Sequence, residues 1–330
     1  MKKQLAIWKF ILENVSKKIP VVLLYVLESS GSSPGRQGFF MAVSENDMEG
    51  SIGGGIMEHK FVEMAKEGLY AARYKLQVKQ QIHDKAAGKN QSGMICSGEQ
   101  TILIYRIQEK DLSHIEKIIT TLEQNRNGIL HLSPEGILFD DASAEKDPIT
   151  IGFEFNSKTD EDPIAIGWSY KEKTGYKNHL YIIGGGHCAL AFSKLMSTMD
   201  FYIHLIEERE GLNTLLKNDS VHEKKIVRDY SELSGLIPSG KNNYVVVMTF
   251  GYRTDDIAVR ALLGKDFKYF GLLGSKKKIE KMFADYRKEG IKQDILKKIH
   301  APIGIRIKSE TPEEIAVSIA AEIIAIKNLS

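Results

Sequence analysis

The stretch HLYIIGGGHCALAFSKLM, residues 179–196, restricts the fold more than any other part of the chain. An apolar run ends on three glycines and continues at once into helix-forming sequence, the pattern of a buried strand turning tightly into a helix. The alternation then repeats. FYIHLIEE reads as a strand, NYVVVMTF as a strand, TDDIAVRALLG as a helix, YFGLLG as a strand and KKKIEKMFADYRKEG as a helix. Apolar runs separated by helices predict a parallel sheet covered on both faces. A last helix follows TPEE, with Thr311 as N-cap, Pro312 at the first position and Glu314 at the third. Ile315, Ile319, Ile323 and Ile326 line one side of it.

The first half of the chain reads differently. The opening segment places Leu5, Trp8, Ile11, Leu12 and Val15 at helical spacing, while Lys9, Glu13, Lys17 and Lys18 interrupt any signal-peptide core. PVVLLYVLES and GFFMAVS read as strands around the loop SGSSPGRQG, and ENDMEGSIGGG as the turn before a helix starting near Ile56. KLQVKQQIHD and QTILIYRIQ are further strands, DLSHIEKIITTLEQ is a helix capped by Asp111, and GILHLSPEGILF is a hairpin. The sequence turns polar between about Asn156 and Asn178, so a boundary is expected there: one mixed α/β domain over 1–175 and a Rossmann-like domain over 176–330.

Forty-five Lys and Arg against 43 Asp and Glu leave a formal net charge of +2, which gives no general attraction to nucleic acid or membrane. No apolar run approaches the roughly 20 residues that span a bilayer. Two cysteines, Cys96 and Cys188, without a CxxC pair, point to a reducing cytoplasm and away from a zinc ribbon.

Gly184, Gly186 and Ala189 follow the G-x-G-x-x-A form between a strand and a helix, the context of a dinucleotide turn. There the helix N-terminus offers free N–H groups to a phosphate. Glu207 or Glu208, ending the next strand, stands near the expected position of an acid that bonds a ribose hydroxyl. His187 is a candidate phosphate contact or proton carrier, and Cys188 packs under the first helical turn. A second anion candidate is the turn Gly274-Ser275 with Lys276 and the two lysines after it. In the first half, Gly53, Gly54 and Gly55 permit unusual dihedrals and close ligand approach. Glu58 follows in the first helical turn, and Ser32 and Arg36 lie on the preceding loop, with Arg36 the natural partner of a phosphate or of Glu58. Cys96, in a glycine-flanked loop, is either a soft-metal ligand or redox group or, as composition favours, a small buried apolar residue.

Taken together, these motifs resemble the XdhC/CoxI family, the accessory proteins of xanthine dehydrogenase and related molybdenum hydroxylases. GSSPGRQG and GSIGGGIMEH are similar to its N-terminal pattern, GSxPxxxG followed by GxxGGGxxE. YIIGGGHCA resembles its GxGH turn, LIEER its acidic strand end, YFGLLGSKKK its GxxGSxxK loop, and APIGIRIKSETPEEIAVSIAAEIIA its C-terminal segment. The resemblance implies a cytoplasmic, non-catalytic chaperone that binds a molybdopterin-type cofactor and helps insert it into a xanthine dehydrogenase-type client. It also implies contact with cofactor biosynthesis or sulfuration enzymes, and raises Cys96 to a contact with the cofactor's molybdenum. The glycine turn keeps an NAD(P)-dependent oxidoreductase as the alternative, although no acid–base pair is evident beside a nicotinamide position. Three departures stand out. The family's CGG is Cys96-Ser97-Gly98 here, its T-H-D is Thr249-Phe250-Gly251, and its strand-end aspartate is Glu207. A homodimer is expected from the apolar last helix and the first-domain loops, which need cover.

Overall fold

The computed structural model describes residues 1–70, 76–82, 98–141, 152–155 and 167–329. The chain forms two compact units, Met1–Gly175 and Tyr176–Ser330.

In the first unit, helix α1 (Lys2–Ser16) leads into β1 (Val22–Gly31), β2 (Phe40–Val43), β3 (Met48–Gly50) and helix α2 (Gly55–Leu69). β4 (Gln77–Ile82) and β5 (Gly98–Arg106) complete an antiparallel sheet in the order β3-β2-β1-β5-β4. Helix α3 (Leu112–Glu123) precedes β6 (Gly128–Ser133), β7 (Gly136–Asp140), β8 (Gly152–Phe155) and β9 (Trp168–Thr174), a second sheet ordered β7-β6-β9-β8. β1 is apolar without alternation because both its faces are covered. Val22, Leu24 and Val26 join Phe61, Val62 and Ala65 of α2 in one core, while Tyr25 on the opposite face stacks on Phe40 at 5.1 Å. The buried Glu172 of β9 accepts hydrogen bonds from the hydroxyls of Tyr25 at 2.6 Å and Tyr170 at 2.7 Å, so one carboxylate fastens the two sheets.

Asp111 does not cap α3 through its side chain. Its carboxylate accepts from the Tyr105 hydroxyl at 2.8 Å and from the Gln108 and Ile137 N–H groups at 2.8 and 3.1 Å, joining β5, a short 3-10 turn and β7. A buried acid within reach of three donors satisfies those instead of a solvent-facing helix end.

The second unit runs β10 (Asn178–Ile183), α4 (His187–Met196), β11 (Phe201–Glu207), α5 (Asn213–Leu216), β12 (Glu223–Ile226), α6 (Leu233–Leu236), β13 (Gly240–Val247), α7 (Tyr252–Leu262), β14 (Phe267–Leu272), α8 (Lys276–Lys288), α9 (Gln293–Leu296) and α10 (Pro312–Asn328). All its strand pairings are parallel, in the order β12-β11-β10-β13-β14. This is the doubly wound order in which the direction of winding reverses between β10 and β13, leaving a crevice at their carboxyl ends. The expected fold class, a mixed α/β domain followed by a Rossmann-like parallel sheet, is the one found. One face of the sheet buries Phe192 and Met196 of α4 with Ile319, Ala320 and Ile323 of α10; the other buries Val259, Leu262, Met282 and Tyr286. Ile315 and Ile326 also pack against the first of these clusters. The apolar face of α10 is therefore covered from within the chain, which accounts for one of the two features that suggested a homodimer. Among the described residues, no helix is long and apolar enough to cross a membrane.

Candidate functional site

The site in the second unit begins where β10 ends. Gly184 takes φ +103°, and a Cβ there would stand 2.5 Å from the Met248 carbonyl oxygen, so only glycine closes the turn against β13. Gly186 differs: a Cβ on it would meet nothing within 4 Å. It is the N-cap of α4, which has no side-chain cap. Among the described residues no side chain caps the start of α4, whose first N–H groups lie beside an open glycine at the switch point of the sheet. Ala189 is buried one turn on, allowing α4 to lie close to the sheet, and His187 is exposed beside the turn. Cys188 is half-buried against the α4–α10 core, where burial pushes its thiol pKa up, so it is no ready thiolate.

Glu207 behaves differently from a ribose-binding acid. It is fully buried. Its Oε2 accepts from the Gly185 N–H at 2.7 Å and Arg209 Nη2 at 2.8 Å. Its Oε1 accepts from the N–H groups of Glu208 and Arg209, from Arg209 Nε at 2.9 Å and from the Tyr230 hydroxyl at 3.2 Å. Burial alone would raise its pKa, but the Arg209 guanidinium and these backbone donors outweigh burial and hold it at about 2. With six donors already in place, Glu207 fixes the glycine turn from beneath. Glu208 is the less buried of the pair, and burial together with the Glu207 charge raises its pKa. Arg209 lies over the Phe250 ring, 4.4 Å from its centroid. Phe250, where the family pattern has histidine, is 62% exposed, so the rim of this crevice carries an aromatic–guanidinium stack in place of a titrating imidazole.

The GSKKK turn, the second anion candidate, is engaged in part by the chain itself. Ser275 caps its own helix, accepting from the Lys278 N–H at 3.4 Å. Lys278, the lysine on which the GxxGSxxK pattern ends, forms an ion pair with the fully buried Asp255. Asp255 also accepts from the Thr249 N–H at 3.1 Å. Lys276 pairs loosely with Glu280 at 3.7 Å and lines a different concavity of this unit. The signal for Lys278 was available in that pattern. Its partner was not, because Asp255 lies 23 residues earlier and its burial is invisible in sequence.

In the first unit the two glycine motifs hold each other. A Cβ on Gly53, at φ +130°, would lie 2.4 Å from the Gly35 nitrogen, and one on Gly35 would lie 2.0 Å from the Ile52 carbonyl oxygen. Gln100 spans the seam, its Nε2 donating to the Gly35 carbonyl at 2.9 Å. Gly54 and Gly55 also have positive φ, with open space around them. Glu58 closes the loop: Oε2 accepts from the Ser51 hydroxyl at 2.6 Å and from the Ile52 and Gly54 N–H groups, both at 2.9 Å. Two N–H groups of this turn, those of Ile52 and Gly54, are thus answered by the chain's own carboxylate. Arg36 does not pair with Glu58; its Nη1 donates to the Gly31 carbonyl at 2.9 Å, beside the exposed Ser32. Cys96 and Ser97 lie outside the described residues. Gly98, the last residue of the family's CGG, is described, and a Cβ on it would come within 2.5 Å of the Ser33 nitrogen. The glycine that this chain retains is the one the neighbouring loop requires. Among the described residues, no group of three His, Cys, Asp or Glu is placed to hold a metal ion.

Comparison with known proteins agrees with this architecture. Residues 180–323 match the family described as the XdhC Rossmann domain, and residues 15–78 match the XdhC and CoxI family. The chain is 22% identical over 315 residues to the uncharacterized protein YqeB of Escherichia coli K12, a match covering 94% of this chain and 44% of YqeB. It is 34% identical over 79 residues to a probable xanthine dehydrogenase subunit of Bacillus subtilis 168, covering 24% of this chain and 22% of that protein. It therefore spans less than half the length of the curated relatives it matches. A crystal structure of a xanthine dehydrogenase from Bacillus halodurans superposes with a TM-score of 0.68 at 21% identity, covering 97% of this chain and 95% of that one, a likeness of fold.

Proposed function

Because this chain belongs to the XdhC and CoxI family, we propose that it is an accessory protein that binds a molybdopterin-type cofactor and delivers it to a molybdenum hydroxylase of the xanthine dehydrogenase kind. The observation that carries the reading is the uncapped start of α4 at the open Gly186, a donor set suited to the cofactor's phosphate. Bound there, the cofactor would supply a phosphate for those N–H groups and a metal that the chain need only shield. The chain's own contribution is a turn fixed by Glu207, a backbone that lets an anion approach at Gly186, and an exposed His187 beside it. Contact between Cys96 and the cofactor's metal belongs to the same proposal. The dinucleotide alternative finds less support. Both oxygens of Glu207 already accept from the chain, so a ribose diol at the end of β11 would be left with Glu208 alone.

The test is to purify the protein from a host that makes the cofactor, then measure molybdenum by elemental analysis and pterin by fluorescence after denaturation. The wild type is expected to carry both in equimolar amounts. Gly186→Ala adds a methyl group into open space, so it should fold normally and lose the pterin. Cys96→Ala should keep pterin and lose molybdenum. A wild type with neither, or one that instead binds and turns over NADPH, would overturn the proposal.

A further inference from the structure

The second unit holds another concavity, of about 900 Å³, beside the edge strand β14 and apart from the glycine turn. One wall is α8 from Lys276 to Arg287, about 16 Å of helix at roughly 1.5 Å per residue. The opposite wall is the segment 303–309 together with the start of α10. That segment is fastened. Gly304, at φ +92°, donates its N–H to Glu322 Oε2 at 2.9 Å, and a Cβ on it would meet Ser318 Oγ at 2.3 Å. Ser318 Oγ donates to the Ile305 carbonyl at 2.6 Å.

Beyond this anchorage the chain reads Ile305-Arg306-Ile307-Lys308, alternately apolar and basic. Both isoleucines are 45% exposed. Arg306 and Lys308 have no ion-pair or hydrogen-bond partner among the described residues. With Lys276 and Arg287 they set four cations against the single carboxylate of Glu280 around one cleft, in a chain whose net charge is only +2. Fixed walls, exposed apolar side chains and unpaired cations together are what an amphipathic anion requires.

We propose that this cleft binds a small amphipathic anion: an aromatic or alicyclic body against Phe283, Ile305 and Ile307, with a phosphate-, sulfonate- or carboxylate-type head at Arg306 and Lys308. Its volume lies within the roughly 300–1,000 Å³ of small-molecule sites. An acidic peptide fits less well. The adjoining edge of β14 is already paired, Leu272 N–H donating to the His300 carbonyl at 3.0 Å and Ile303 N–H to the Leu272 carbonyl at 3.1 Å, so no strand edge is free for peptide addition. The site does not depend on the accessory role proposed above.

The full chain can be titrated with anilinonaphthalene sulfonate, an aromatic anion whose fluorescence rises on binding. Saturable binding is expected, weakened about tenfold or more by R306E/K308E and by raising salt from about 50 to about 500 mM. Ile307→Ser should also weaken it with the charge intact, while Lys241→Glu, a surface reversal elsewhere in the same unit, should leave it unchanged. Far-UV circular dichroism checks that each variant is folded. Phenylnaphthylamine, the same ring system without the charge, should bind less tightly. Equal binding of the amine, undiminished binding by R306E/K308E, or displacement by a Glu/Leu peptide at lower concentration than by naphthyl phosphate would each overturn the proposal.

Discussion

A carboxylate buried beneath a glycine turn is costly unless the fold answers every lone pair, and Glu207 shows how this is done. Arg209, two residues on, supplies a bidentate partner, while Gly185, Glu208, Arg209 and Tyr230 add further donors. Its pKa lies at about 2 against an ordinary 4.5, so the folded state favours the charged form. Stability from this source is complete above pH 4.5 and is lost as pH falls toward 2, because protonation then becomes easier in the unfolded chain than in the folded one. Glu207→Gln removes the charge and should cost about 3 kcal/mol at neutral pH. Urea denaturation at several pH values checks this: the gap between wild type and variant should close between pH 4.5 and 2, and a gap independent of pH would contradict the assignment. The glycine fingerprint around Glu207 was legible because Gly184 and Ala189 obey local steric rules. The acid's role was not, since whether it faces a ligand or the chain's own donors depends on Arg209 and Tyr230 folding back over it.

At the scale of elements, legibility followed burial. β1, β10, β11 and β13 read directly because each is a continuous apolar run buried in a sheet, and α10 because Thr311, Pro312 and Glu314 form a complete start signal, observed as a capping box. β3 and β12 escaped notice: Met48–Gly50 and Glu223–Ile226 are short edge strands with every side chain exposed, so no alternation marks them. β8, four residues long, had no periodicity to show either. The lysine run opening α8 illustrates the same limit, since three identical residues in sequence have different work in space. Lys278 reaches Asp255, buried at the start of α7, and so ties α7 to α8 beside the ends of β13 and β14. Lys278→Ala leaves that carboxylate buried without its cation and should lower unfolding free energy by about 3 kcal/mol. Lys276→Ala should leave the denaturation midpoint unchanged, because its side chain is 78% exposed and its ion pair is a surface one. Equal effects from the two substitutions would show that Asp255 does not depend on Lys278.

At the scale of the whole molecule, the two units differ in how their cores are assembled. In the second unit, every strand of the parallel sheet pairs with another strand of the same unit. Among the described residues, both hydrophobic clusters flanking that sheet draw on residues between Leu180 and Ile326. The helix that most needed cover, α10, finds it on α4 and β14 of the same unit. A chain of 155 residues buries about two-thirds of the surface its unfolded state exposes, enough for independent stability. Residues 176–330 expressed alone should therefore give a cooperative thermal transition, with the far-UV circular dichroism of an α/β protein and the narrow amide dispersion of the unfolded state absent from its NMR spectrum. Glu207→Gln introduced into that fragment should lower its midpoint as it does in the full chain, because every donor to Glu207 lies within the fragment. A fragment that melts without cooperativity, or in which Glu207→Gln has no effect, would mean that the first unit contributes to the second unit's core.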